Sequence, residues 1–339
     1  MLTKALEQLN PGYFSTVMAT EIISLALLLN EYDTLSQIFF GLGIGLYVVF
    51  IVLYLLRAIC FPKQVWGDLR NASRVFGYFT FIAGTNVLGT RLAYSNQYRI
   101  ALVLGIVGVV CWIIFVYFVL VILLFYNQQP SNKVLSGTWL LTTVSAESIA
   151  SLSSALASFL PQYHSSLLFL SYTTWSIGIV LYLILIALIL NQFFFSHVSP
   201  SDLSPPYWIN MGAVAITTLA GSRLIVYPLS THFVIFVQPF VQGFTMMLWA
   251  WGTWWIPFLV LIGGWKYLVF KQPIVYEPGL WSAVFPLGMY TVATYTLSHV
   301  LGLHILRAIV PFCLWISTVA WVFVCALFAI HCVRTIRHS

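Results

Sequence analysis

Apolar residues run in blocks of about 20 or more from residue 12 to residue 333, broken only by short polar stretches. A helix rises 1.5 Å per residue, so a hydrocarbon core of about 30 Å takes about 20 residues to cross. The blocks lie at 12–29, 36–57, 74–94, 98–126, 134–159, 165–195, 205–224, 232–268, 280–300 and 304–333. Turn-forming clusters separate several of them: Asn30-Glu31-Tyr32-Asp33, Gln128 to Asn132, Ser199 to Asp202 and Glu277-Pro278-Gly279. The block at 232–268 is too long for one upright span and must tilt or project.

Odd and even blocks differ in kind. Gly41 to Leu56, Leu102 to Tyr126 and Ile177 to Leu190 are almost wholly Leu, Ile, Val and Phe. The fifth block instead carries Ser145, Glu147, Ser148, Ser151, Ser153 and Ser154, and the ninth Thr291, Thr294, Thr296 and Ser298. Small and hydroxylated residues suit close helix contact or a wetted lumen and gain nothing against lipid. The pattern predicts an all-α polytopic membrane protein of ten transmembrane helices, in five hairpins at 12–57, 74–126, 134–195, 205–268 and 280–333. Odd helices lie inside around a central pore and even helices outside. One transmembrane domain covers residues 1–339.

Composition narrows the class. Charged residues make up 6% of the chain and hydrophobic ones 61%, with a mean hydropathy of +0.96. Soluble domains carry roughly 25% charge, so a water-soluble enzyme is excluded. The net charge of +6 is scattered and forms no basic stripe for nucleic acid. With ten spans, one side holds Lys4, Arg57, Lys63, Arg70, Arg74, Lys133, Lys266, Lys271, Arg334 and Arg337, and the other Arg91, Arg99, Arg223 and Arg307. Both termini are therefore expected in the cytoplasm of a cell whose plasma (inner) membrane the chain crosses. Met1 to Gln8 is too polar for a cleavable leader. The five cysteines show no ligand or framework spacing.

The odd blocks share a motif: an aromatic, a residue at +4 and a hydroxyl at +6. It reads Phe14, Met18, Thr20; Phe79, Ala83, Thr85; Trp139, Thr143, Ser145; and Phe285, Met289, Thr291; the seventh keeps Trp208 and Gly212 but has Val214 at the hydroxyl position. A recurrence near one fifth of the chain suits five repeats of a helical hairpin. On a helix, +4 and +7 share the face of the starting residue, whereas +6 turns about 120° away. The hydroxyls are thus expected to bond a preceding carbonyl or a neighbouring helix. The aromatics are open to two readings, ordinary packing or a stacked constriction. Pro286, directly after Phe285 inside a span, frees a carbonyl and kinks the helix there; this makes Phe285 the strongest candidate for a constriction.

Pro11-Gly12-Tyr13-Phe14-Ser15-Thr16-Val17-Met18-Ala19-Thr20 is similar to the first-helix signature of the tellurite-resistance/dicarboxylate transporter family. Trp281-Ser282-Ala283-Val284-Phe285-Pro286-Leu287-Gly288 resembles that family's ninth-helix segment. Its members include plant slow anion channels, fungal malate permeases and fungal sulfite exporters. The resemblance implies five inner helices around a pore, a trimer, and a pore-plugging phenylalanine at Phe285. It also implies small anions as cargo: C4-dicarboxylate such as malate, sulfite, chloride, nitrate or tellurite. One position departs, since Glu21 stands where the family commonly has glycine.

Intramembrane acids are costly and usually functional. Glu21 and Glu147 have three possible roles: a carboxyl kept neutral by burial, an ion pair with Arg91, Arg223 or His299, or a proton-coupling site for carboxylate symport. Met18, Met289, Asn86 and His299 join them as candidate pore-lining or coupling residues, His299 either as a satisfied interior histidine or as a titrating gate. Arg91 and Arg223 recur as Gly-Thr-Arg-Leu and Gly-Ser-Arg-Leu at the ends of two odd blocks. They either snorkel to the interface or form a positive vestibule for anions. Phe14, Phe79, Trp139 and Trp208 are the weaker gate candidates. No catalytic residue, metal site or cofactor is expected; a membrane-embedded haem or redox enzyme is the distant alternative, and His299 with His331 is a poor haem pair.

Overall fold

The computed structural model describes residues 2–126, 135–195, 199, 203–226 and 232–337. The breaks at Gln128 to Asn132 and Pro200 to Asp202, and Lys133, lie outside these. Among the described residues every regular element is helical. We number the α-helices α1 (Leu2–Glu7), α2 (Ser15–Leu29), α3 (Asp33–Cys60), α4 (Pro62–Arg70), α5 (Phe79–Ala93), α6 (Tyr98–Val121), α7 (Leu141–Phe159), α8 (His164–Phe195), α9 (Ile209–Val226), α10 (His232–Gly264), α11 (Trp281–Val300) and α12 (His304–Arg337).

Eight of the helical segments are long and apolar enough to cross a membrane. The two expected spans that fall short are α5, with 15 residues, and α11, which carries three threonines, two tyrosines and two serines. Both are enclosed by other helices along most of their length, and an enclosed helix needs no lipid-compatible surface.

The helices pack in a closed order. α2 contacts α5, α5 contacts α7, α7 contacts α9, α9 contacts α11, and α11 returns to α2. Each of these packs against the helix that follows it in its hairpin: α3, α6, α8, α10 and α12 in turn. Each follower also touches the next inner helix, and α12 closes the cycle onto α2. Burial divides the two sets. The apolar windows of α2, α7 and α9 are 78% to 100% buried, and those of the five followers 11% to 39%. The exposed positions of the second set are mainly Ile, Leu, Val and Phe, among them Val48, Ile106, Leu183 and Val319.

The +6 hydroxyls bond within their own helices, and two of them also tie the two layers together. Thr20, Thr85, Ser145 and Thr291 donate to the carbonyls of Thr16, Phe81, Thr142 and Leu287 at 2.7–2.9 Å. Thr20 also accepts from Trp321 Nε1 of α12, and Thr85 meets Tyr47 OH of α3, both at 3.0 Å. Three hairpins reverse by the same device. Glu31, Asn96 and Gly302 have φ near +65°, and the amide after each donates five residues back: Tyr32 to Leu27, Gln97 to Leu92, Leu303 to Ser298. This is the left-handed cap that satisfies a helix's last carbonyls.

At the opposite end each inner helix opens with a 3₁₀ turn: Pro11–Phe14, Val75–Tyr78, Gly137–Leu140, Pro205–Trp208 and Pro278–Leu280. These five turns touch in the same cyclic order as the helices they start.

Candidate functional site

The ring of turns encloses a cavity of about 200 Å³ to which every repeat contributes: Asn10 and Gly12, Arg74 and Gly77, Thr138, Ser204 and Pro206, and Glu277 with Ser282. The inner helices run parallel, so five helix N-termini converge on this space. Each carries a partial positive charge of about half a unit from its unsatisfied amides, and the assembly favours an anion. The residues before the turns, Asn10, Arg74, Ser136, Ser204 and Glu277, occupy one equivalent cap position in the five repeats. At Asn10 the side chain accepts from Gly12 N at 2.8 Å.

Arg74 also lines a neighbouring polar cavity of about 590 Å³, with Glu7, Gln8, Arg57, Gln64, Gly67, Asp68 and Asn71. Here the buried Asp68 carboxylate takes Arg57 Nη2 at 2.8 Å on one oxygen and Arg74 Nη1 at 2.6 Å on the other. Arg57 further donates to the Glu7 carbonyl. The network ties α1, α3 and α4 to the first turn of the second inner helix. Arg57→Met leaves Asp68 buried with one half-exposed partner. Breaking a buried pair costs about 3 kcal/mol, so a clear fall in thermal midpoint in detergent is expected, and Asp68→Asn in the same background should recover part of it.

The five aromatics do not share one environment. Phe14 packs among Tyr47, Phe50 and Tyr54 of α3 and Phe81 of α5. Phe79 meets Phe115 of α6 and Phe76. Trp139 stacks on Phe76 at 4.6 Å. Trp208 lines a small cavity with Leu259 and Ile262 of α10. Phe285 makes no ring contact among the described residues and is 1% exposed.

Geometry on α11 gives the direction of Phe285. A Cβ on Gly288 would meet Ile22 and Ile23 of α2, while Pro286 closes on Gly212 of α9. Tyr290 and Thr294 bond Thr253 and Trp249 of α10. At 100° per residue with Gly288 as origin, Pro286 stands at about 160°, and Tyr290 and Thr294 at about 200–240°. Phe285, Met289 and Ser282 fall at about 60°, 100° and 120° on the same scale. They occupy the sector between α2 and α9, opposite α10, and Ser282 lines the cavity of the turns. Met18 faces Gly84 of α5.

The buried acids point outward. Glu21 and Glu147 are wholly buried, and their carboxyls fill the space over Gly43 of α3 and Gly178 of α8. Asn86 does the same over Gly108 of α6 and donates to Ser148 Oγ at 3.0 Å. Three repeats thus set a polar side chain into a glycine notch on their own outer helix. Neither acid forms an ion pair with Arg91, Arg223 or His299.

Arg91 and Arg223 do not snorkel, being 0% and 5% exposed. Arg91 donates to Ser24, Ser36 and Ser95 hydroxyls and lies over the Phe40 ring. Arg223 donates to the Ser151 carbonyl and hydroxyl at 2.7 and 2.8 Å and lies over Tyr94. Both occupy the last turn of an inner helix, where a cation offsets the partial negative charge of the free carbonyls. His299, near the end of α11, is exposed while Leu297 and Ser298 beside it are buried; it bonds the Tyr295 carbonyl, and its ring lies tilted 4.1 Å from the Tyr295 ring.

A family model described as a voltage-dependent anion channel, SLAC1, matches residues 8–329. The chain belongs to this anion-channel family. Two uncharacterized transporters of Methanocaldococcus jannaschii are each 25% identical to it over 321 residues, covering 92% of this chain and 90–91% of theirs. An uncharacterized membrane protein of Mycobacterium tuberculosis is 38% identical over 159 residues, which is 47% of this chain and 80% of that protein. The anion-channel family is the one whose first- and ninth-helix motifs the sequence resembles. The five cap positions and the Arg57–Asp68–Arg74 network lie outside those motifs. A signal for the ring was nonetheless present: Asn10-Pro11-Gly12, Ser136-Gly137, Ser204-Pro205-Pro206 and Glu277-Pro278-Gly279 each precede an aromatic.

Proposed function

We propose that this member of the family passes small anions along the axis enclosed by α2, α5, α7, α9 and α11, in a chain that crosses the membrane ten times. The supporting observation is the cavity built jointly by five helix N-termini, to which all repeats contribute. Phe285, followed by its proline and set in the sector opposite α10, narrows the path, with Met289 one turn along. Phe14, Phe79 and Trp208 support the double layer instead, judged by their contacts with outer rings and the α10 cavity, and Trp139 joins neighbouring inner turns through Phe76. Arg91 and Arg223 keep the far end from turning anion-repelling, since five C-termini gather there. By the Lys and Arg count the cap ring faces the cytoplasm of the plasma membrane. By resemblance, the copies form homotrimers through their apolar outer helices, and the cargo is malate, sulfite, chloride, nitrate or tellurite.

Efflux from proteoliposomes across a panel of these anions, with and without a pH gradient, tests the reading; flux of none of them overturns it. The competing reading is proton-coupled carboxylate symport through Glu21 or Glu147. Their carboxyls lie against Gly43 and Gly178 rather than in the sector of Phe285. Glu21→Gln and Glu147→Gln are therefore expected to leave anion flux, and its response to a pH gradient, within about twofold of wild type. Loss of pH-driven uptake in either variant would establish coupling instead.

A further inference from the structure

The cap position precedes the 3₁₀ turn in all five repeats, and four of its occupants, Asn10, Arg74, Ser204 and Glu277, line the shared cavity. The fifth, Ser136, stands two residues from Thr138, which lines it. Three of the five are neutral. The other two are the only charged residues lining the cavity among those described, and their signs oppose. They are not equivalent in freedom. Arg74 is held by Asp68, whose other oxygen is taken by Arg57, so its charge is answered in part, by a carboxylate that two arginines share. Glu277 belongs to no ion pair among the described residues, and it is exposed. Its backbone is extended, and its side chain does not cap the turn it precedes.

We infer that Glu277 is the residue that sets charge discrimination at the mouth, favouring monovalent anions over dianions. The inference rests on the conduit reading above. An anion approaching the ring is drawn by the five N-termini and repelled by one unanswered carboxylate. Repulsion by a fixed charge scales with the charge of the ion, so a dianion meets twice the barrier of a monoanion. Rings of side-chain charge at a pore mouth act in this way. Asp68 is a positioning residue here: by engaging Arg74 it prevents the arginine from cancelling Glu277 across the ring.

The test is the ratio of sulfate to nitrate flux in proteoliposomes holding the full-length protein. Glu277→Gln should raise that ratio about two- to fivefold, as expected for one unit charge several ångströms from the ion in a water-rich mouth. Glu277→Lys should raise it further. Arg74→Gln should move it by less than Glu277→Gln and in the opposite direction, because its charge is partly offset by the Asp68 carboxylate it shares with Arg57. Both Glu277 variants alter an exposed side chain, and an unchanged thermal midpoint verifies that they fold. A ratio that stays at the wild-type value in both, with nitrate flux intact, overturns the inference while leaving the conduit standing. Wild-type vesicles that pass neither of these ions nor any other anion of the panel overturn both.

Discussion

Phe285→Ala is expected to raise nitrate and chloride efflux from proteoliposomes by about tenfold, equivalent to about 1.4 kcal/mol removed from the barrier. The expectation follows from the sector Phe285 occupies. Its neighbours on α11 commit three directions to α2, α9 and α10, and the ring is left on the fourth, one turn before Met289 and one turn after the serine that lines the cavity of the turns. A paired measurement separates a constriction from ordinary packing. Cutting a phenylalanine out of a close-packed core costs about 3–5 kcal/mol, and Phe285, like Phe14, is buried, so flux rather than stability tells the two apart. The variant should therefore lose stability and conduct more. A large loss of stability with unchanged flux would make Phe285 a core residue and remove it from the pathway. Phe14→Ala provides the contrast: enclosed by four rings, it should lose stability and gain no flux.

Gly137→Ala should be the most damaging single methyl in the molecule. A Cβ at Gly137 would overlap the Pro206 carbonyl and stand 2.6 Å from the Tyr207 nitrogen. These are backbone atoms of the neighbouring turn, so no side chain can rotate away. The third and fourth turns would have to separate, opening the ring at one joint. Overpacking of this kind costs about 1–3 kcal/mol even where flexible groups yield, and here the upper end is expected. Detergent-solubilised Gly137→Ala should show a lowered midpoint together with an altered sulfate-to-nitrate ratio, since the cap positions flank the displaced joint. Wild-type behaviour in both measurements would mean that the turns are not in register contact.

Much of the architecture was legible because bilayer-spanning helices report their burial through composition. The Ser- and Thr-rich blocks became the enclosed helices and the Leu-, Ile- and Val-rich blocks their outer partners. The +6 hydroxyls were expected to seek carbonyls or neighbouring helices and do both. Direction within a helix was harder to read. Phe14 and Glu21 were placed on one face, seven residues apart, and they share it; that face meets α3. One sequence reveals which residues lie together but not which neighbour they address, because the addressee here is a glycine in a block that otherwise looks uniformly apolar. Gly43, Gly108 and Gly178 read as interruptions of greasy helices until the side chains over them are known. The amphipathic α4 was hidden for a different reason. At 9 residues it is too short to stand out between two spans, and it bears the Asp68 that joins two arginines distant in sequence.

The bond from Trp321 to Thr20 joins residues 301 positions apart and seats the final helix against the first long one. A ribosome makes α2 early and α12 last. Until translation ends, α2 has only one of its two flanks covered, and its threonine waits without the indole that later binds it. Closure is thus a single terminal event, and a nascent chain stopped short of the fifth hairpin is an open arc whose polar inner surfaces must be shielded by the insertion machinery or face lipid.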